Sequence, residues 1–292
     1  MGVAATAVRV PTTHRRRATI RWNKLLRTLG FYGALLLLLA PVAFVFYWMI
    51  SLALKPDVEN VTYPPVFIPE HPTLDNFVQV FQKSPFGLYA LNSFVVALAS
   101  TAISLALGVP AAYGIIKGNW RGPALFVLIA RMTPALSYLI PWFILFRFLE
   151  LNNTLAALIV THLVIGLPLT VWVMMGFFEG MHPEIEEAAR VDGCSVWQVF
   201  RLVSLPLARP GVVVAAILSF IFSWNNFIFA VVLSGRETRT LPVAVFSVLT
   251  FEQLAWGNLA AAALIVTLPV LILTLFVQRY IVAGLAAGAL KG

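Results

Sequence analysis

Six long apolar runs separated by shorter polar stretches organise this chain, at about residues 29–54, 91–115, 123–148, 155–178, 211–233 and 257–283. A helix rises 1.5 Å per residue, so about 20 apolar residues cross ~30 Å of hydrocarbon, and a helix satisfies its backbone polar groups internally at that depth. Each run is long enough. The pattern predicts an all-α polytopic membrane protein with six transmembrane helices, in which a basic segment, 1–28, precedes one transmembrane domain, 29–292. The first run is too long and too aromatic for a signal-peptide core, and no small-residue cleavage site follows it, so it is expected to remain as a span. Gly108, Pro110, Pro134, Pro141, Gly166, Pro168 and Pro269 inside the runs predict kinks, or else the ordinary enrichment of these residues in membrane helices.

The longest polar interruption on the far side of the fourth run is residues 179–210. It carries helix signals of its own. Pro183 suits a first turn, and Glu184, Glu186 and Glu187 suit the positive end of a helix dipole. Ile185, Ala188 and Ala189 fall at i, i+3 and i+4 and form a small apolar face. Asp192-Gly193 is a stop signal, and Ser195 with Gln198 three residues on forms a capping box for a second helix, which Pro206 and Pro210 end. A short rigid helix with small apolar residues suits insertion into a groove on a partner; the plainer reading is a connecting loop.

Composition sharpens the class. Apolar residues are 60% of the chain, charged residues 11%, and mean hydropathy is +0.90, whereas a soluble domain has about a quarter charged residues. With the N-terminus inside, the inner segments hold Arg9, Arg15, Arg16, Arg17, Arg21, Lys24, Arg27, Lys117, Arg121, Arg190, Arg201, Arg209, Arg279 and Lys291, and the outer ones only Lys55, Lys83, Arg236 and Arg239. That bias predicts both termini and the 179–210 loop in the cytosol, and it accounts for the net charge of +8. Arg15–Arg17 beside a first span reads as a topogenic signal near anionic lipid rather than a nucleic-acid site. Cys194 is the single cysteine, so no intrachain disulfide can form.

Polar groups at membrane depth are costly unless paired or hydrated, which makes Arg131, His162, Asn225 and Asn226 candidate pathway residues. Trp142, Trp172 and Trp224 offer aromatic faces of the kind that sugars and polyols stack on. The alternative for the amides and His162 is interhelical hydrogen bonding, worth about 0.6–2 kcal/mol. The four histidines have no metal-ligand spacing, and no phosphate-binding loop of the Gly-x4-Gly-Lys-Ser/Thr type is present. No nucleophile–base set is visible. A transporter driven by an ion gradient is a rival class, but it would want carboxylates well inside the spans, and Glu150 and Glu179 lie at edges.

The loop resembles the EAA motif of permease subunits of binding-protein-dependent ABC importers: Glu187-Ala188-Ala189, then Gly193, then Val203 with Leu205-Pro206, at the motif's spacing. Leu74-Asp75-Asn76-Phe77, Trp224-Asn225, Arg239-Thr240-Leu241-Pro242 and the ending Gln278-Arg279-Tyr280 with Gly284-Leu285, Gly288 and Lys291-Gly292 are similar to the carbohydrate-type, maltose-permease-like branch. Cys194 stands where Ala is usual and Asn226 where an acid is common. The resemblance implies a type I importer permease fold in a bacterial cytoplasmic membrane. It implies a heterodimer with a sister permease, two ATPase subunits and an extracytoplasmic solute-binding protein. No cofactor is expected in this chain, with ATP and Mg2+ in the ATPases, and no nucleic-acid partner is expected. Glu187, Ala188, Ala189, Asp192, Gly193, Leu205 and Pro206 would couple the pore to ATP hydrolysis, while Arg131, His162, Trp224, Asn225 and Asn226 would line the substrate path.

Overall fold

The computed structural model describes residues 16–248 and 255–289. Every regular element among them is helical. The chain divides into two compact units, Met1–Ser51 and Leu52–Gly292. The first unit holds nearly all of α1 (Arg16–Ala53), a helix whose leucines Leu36, Leu37 and Leu38 are all exposed, as a lipid-facing span requires.

The second unit opens with α2 (Asp57–Asn60) and α3 (Asp75–Lys83). The long α4 (Phe86–Lys117) follows. The third apolar run forms α5 (Arg121–Met132), a 3-10 turn (Ala135–Tyr138) and α6 (Leu139–Phe148), and the two arms meet at 94°. The break falls at Thr133-Pro134, where proline's ring disfavours helical backbone at the residue before it. α7 (Leu155–Glu179) starts at Thr154, whose hydroxyl accepts the amide of Ala157 at 3.2 Å. The loop holds α8 (Pro183–Val191), α9 (Val196–Val199), a π-helical turn (Phe200–Ser204) and α10 (Leu205–Leu207).

The fifth apolar run is divided into α11 (Arg209–Trp224) and α12 (Ile228–Leu233). The side chains at the break bond locally: Asn226 Oδ1 accepts the Phe229 N–H at 3.3 Å, in place of the backbone carbonyl a continuous helix would offer, and the Asn225 side-chain amide adds a second donor to Ile221 O at 3.0 Å. α13 (Leu241–Val248) and α14 (Trp256–Ala289) complete the unit. Pro110, Pro168 and Pro269 lie inside the unbroken helices α4, α7 and α14. Among the described residues four helices are long and apolar enough to cross a membrane, and up to six spans result if each of two bent pairs counts as one. One pair is the third run. The other joins 196–207 to 209–224 at 74°.

Helices α4, α7 and α11 form the centre of this unit. A carbon added at Gly108 would stand 2.8 Å from Thr170 Cγ2, so the glycine is what lets α4 and α7 approach so closely. The third member joins through hydroxyls: Thr170 to Ser219 at 3.0 Å and Ser100 to Ser223 at 3.0 Å. At the end remote from the loop, Asn92 on α4 donates to Glu237 O and Arg239 O at 2.8 and 3.0 Å. At the loop end, Tyr113, Phe178, Met174, Phe200 and Ala208 close a buried apolar cluster.

Candidate functional site: the polar loop and the membrane cavity

The loop's local structure follows its sequence. α8 begins at Pro183 with Glu184 and Glu186 in its first turn. It ends where the Asp192, Gly193 and Cys194 amides donate to Ala188, Arg190 and Ala189 carbonyls, each at 3.0 Å. Gly193 has φ +89°, a left-handed conformation that a side chain would strain. The Ser195–Gln198 capping box is formed in both directions, at 2.7 and 3.4 Å. Leu205 and Pro206 are half-buried in α10, with Leu205 packed on the Phe178 cluster.

The outward side of α8 presents Glu184, Glu187, Ala188 and Val191, at i, i+3, i+4 and i+7, with Ile185 beside them. Ala189 is half-buried, so the small apolar face read from the sequence is only partly open. Val191 is 87% exposed, and Val196 and Trp197 continue an apolar surface onto α9. Exposed apolar residues held on a rigid turn are what a partner's groove would cover. Asp192 is exposed at the turn.

Glu186 faces the other way. It is 7% exposed; its Oε1 accepts Ser204 Oγ at 2.7 Å and its Oε2 pairs with Lys117 Nζ at 2.7 Å. From sequence Glu186 is only an acid suited to the positive end of the helix dipole. The signal for more was its place beside Glu187 on a short helix, where adjacent acids must point to different sides.

The five candidate pathway residues are not gathered in one place. Arg131, at the last turn of α5, holds its guanidinium 4.2 Å above the ring of Trp172 on α7. Arg131 also lines a cavity of about 240 Å³ with Thr133, Tyr138, Ile165, Leu169 and Phe222. Among the described residues no carboxylate pairs with it. His162 is 3% exposed, and its Nδ1 lies 2.7 Å from Ser223 Oγ in the α4–α7–α11 seam. Trp224 is buried, with its indole N–H donating to Val266 O on α14 at 3.0 Å. Asn225 and Asn226 stand at the α11–α12 break, Asn225 exposed and Asn226 half-buried. Only Arg131 of the five lines the cavity. Thr133 and Tyr138 beside it were not singled out from sequence, though Pro134 marked the bend that brings them there.

Residues 104–286, from the middle of α4 into α14, match the family model of the binding-protein-dependent transport system inner membrane component. The chain belongs to that family. This permease is 36% identical over 271 residues to the sulfoquinovosyl glycerol transport system permease protein SmoH of Agrobacterium fabrum, covering 91% of this chain and 94% of that one. It is 36% identical over 251 residues to the trehalose transport system permease protein SugB of Mycobacterium tuberculosis, covering 84% and 91%. Its fold is similar to a chain of a bacterial ABC transporter involved in the import of the acidic polysaccharide alginate, with a TM-score of 0.71 at 22% identity, covering 93% of this chain and 99% of that one. The permease is thus a multi-pass membrane component of an ABC import system, with the all-α fold of such components. Membership sets aside the ion-driven alternative in favour of transport that depends on a binding protein.

Proposed function

We propose that this permease forms, with a different sister permease, the translocation path of an importer for a carbohydrate or polyol. Two ATPase subunits dock on the cytoplasmic loops of the two permeases, one of them on the outward side of α8, and a solute-binding protein delivers cargo from the other side of the membrane. ATP and Mg2+ sit in the ATPases and no cofactor sits in this chain. The loop and both termini lie in the cytosol of a bacterial cell, the arrangement favoured by the lysine and arginine bias. Closure of the ATPases moves α8, and the helices rock between inward and outward states as rigid bodies. Cargo outside and ATP inside bias one equilibrium, so each alters the other's binding.

The observation that carries this reading is the exposed stripe of Glu187, Ala188 and Val191 on a helix stopped by a positive-φ glycine. Glu187, Ala188, Ala189, Asp192 and Gly193 make the docking helix and its turn, and Leu205-Pro206 seats it against the bundle. The cargo class is supported by the sugars in the relatives' names. It is supported also by the cavity, where a guanidinium, a phenol and a hydroxyl are set among apolar walls. Arg131 is the cargo contact favoured by that geometry. His162, Trp224, Asn225 and Asn226 shape the path from helix junctions.

Reconstitution tests the reading. The complex co-purified from cells is placed in liposomes with ATP inside and with binding protein and labelled sugar outside. Uptake is expected to require both and to stop with vanadate, not with an uncoupler; uphill uptake by the permease alone on an ion gradient would refute it. Ala188→Asp is expected to abolish cargo-stimulated ATP hydrolysis while the two permeases still assemble. Retained stimulation would remove α8 from the coupling role.

A further inference from the structure

We propose that Glu186 is the positioning residue that locks α8 to the loop end of α4, so that a push on α8 reaches the membrane helices as movement of one body. The proposal rests on α8 being the ATPase-facing helix. Its two carboxylate oxygens serve two different elements: Oε1 takes the hydroxyl of Ser204 in the π-helical turn, and Oε2 takes Lys117 Nζ at the last residue of α4, each at 2.7 Å. One side chain thereby joins two helical segments of the loop to the end of α4.

The surroundings favour a stiff joint. Tyr113, one turn before Lys117, packs its ring 4.9 Å from Phe200 of the same π-helical turn and 5.3 Å from Phe178 at the end of α7. Lys117 Nζ also stands 6.0 Å over the Tyr113 ring. A π-helical turn inserts one residue into a helix, is costly, and recurs at functional sites. Here it brings Ser204, fully buried, within reach of Glu186, and the same hydroxyl also reaches Val199 O at 3.3 Å. Packing alone would not need a charge: apolar residues of similar volume fill such a place at no loss of stability. A hydrogen-bonded ion pair adds a fixed direction, because it weakens steeply with distance and angle. The neighbouring acids of α8 then divide the work. Glu187 is open to a partner and Glu186 ties the helix to its own protein.

The test uses the whole complex in liposomes. Glu186→Gln keeps a polar group for Ser204 and removes the charge, and Lys117→Gln removes the other half from a less buried position. Both are expected to assemble with the ATPase and hydrolyse ATP, and to move about tenfold less cargo per ATP, within the usual range of coupling between sites. The swap Glu186→Lys with Lys117→Glu is expected to restore part of that ratio. Spin labels at Arg190→Cys on α8, outside the docking stripe, and at Ala111→Cys, exposed on α4, on a Cys194→Ser background, read the joint directly. Their separation is expected to stay constant between nucleotide-free and vanadate-trapped states in the parent and to change in Glu186→Gln. An unchanged cargo-per-ATP ratio in both single variants overturns the proposal, as does a parent label distance that shifts between states. Loss of ATPase binding in both variants overturns it too, since that is a folding role. If Ala188→Asp uncouples while Glu186→Gln does not, only this inference fails. If Ala188→Asp is silent, the docking helix itself has been misassigned.

Discussion

The α4–α7 pair and the bent α5–α6 arm are both built from apolar runs and are packed in opposite ways. α4 and α7 approach until Gly108 meets Thr170 with no room for a methyl group. Arm α5–α6 turns through 94° at Thr133-Pro134 and leaves a cavity of about 240 Å³ against α7 and Phe222 of α11. The polar groups differ in the same sense. In the first region hydroxyls and His162 link neighbouring helices, Thr170 to Ser219, His162 Nδ1 to Ser223 and Ser223 to Ser100, while Thr101 Oγ1, Ser104 Oγ and His162 Nε2 are buried without a hydrogen-bond partner among the described residues. In the second, Arg131 has an aromatic face and an open cavity. Small residues make a rigid frame in a membrane, where dispersion and hydrogen bonds replace the hydrophobic drive. A bend exposes backbone and side chains that only a hydrated or ligand-lined space tolerates. One half of the bundle is frame, and the other is where a path has room.

The largest effect that separates the two is expected from Gly108→Leu, whose side chain must displace Thr170, a β-branched residue with little rotamer freedom. Overpacking of this kind costs about 3 kcal/mol, and thermal unfolding of the purified complex followed by tryptophan fluorescence would show a large drop in midpoint. An unchanged midpoint would mean that the pair is loosely packed and the contrast is false. Next is Arg131→Ala. Loss of a charged hydrogen-bond donor to cargo costs about 1.5–3 kcal/mol, so uptake falls roughly tenfold or more, with the unfolding midpoint held. A midpoint falling as far as in Gly108→Leu would put Arg131 in the frame instead. Arg131→Lys keeps the charge but not the planar stack on Trp172, and is expected to recover uptake only in part. The smallest effect is Ser223→Ala, which breaks two hydroxyl contacts in the frame. Interhelical hydrogen bonds in membranes average about 0.6 kcal/mol, so a shift of a degree or two in midpoint with normal uptake is expected. A severe uptake defect would mean that the His162 seam contacts cargo and does not only shape the path from a helix junction.

Much of the loop was legible in the sequence. Gly193 at the end of α8 and the Ser195–Gln198 box depend on residues within four positions of one another, and the structure forms both. The family match likewise covers the region that holds the loop motif. The third and fifth apolar runs read as continuous spans but are broken in the structure, at Thr133-Pro134 and at Asn225–Phe227. Hydropathy registers how apolar a segment is, not which backbone carbonyl an asparagine takes. Residues 249–254, between α13 and the last run, lie outside the described residues.

By itself the sequence determined the class of molecule, its apolar segments and the helix–turn–helix of its loop. Each of these is set by local composition, by caps or by the one residue that tolerates positive φ. Only the tertiary structure decided that Trp224 donates to Val266, that Arg131 lies over Trp172 beside a cavity, and that Glu186 holds Lys117 and Ser204 while Glu187 faces out. Those pairings join residues on different helical segments, 18 or more positions apart. Their partners are chosen by which helices pack together, and no periodicity along the chain encodes that choice.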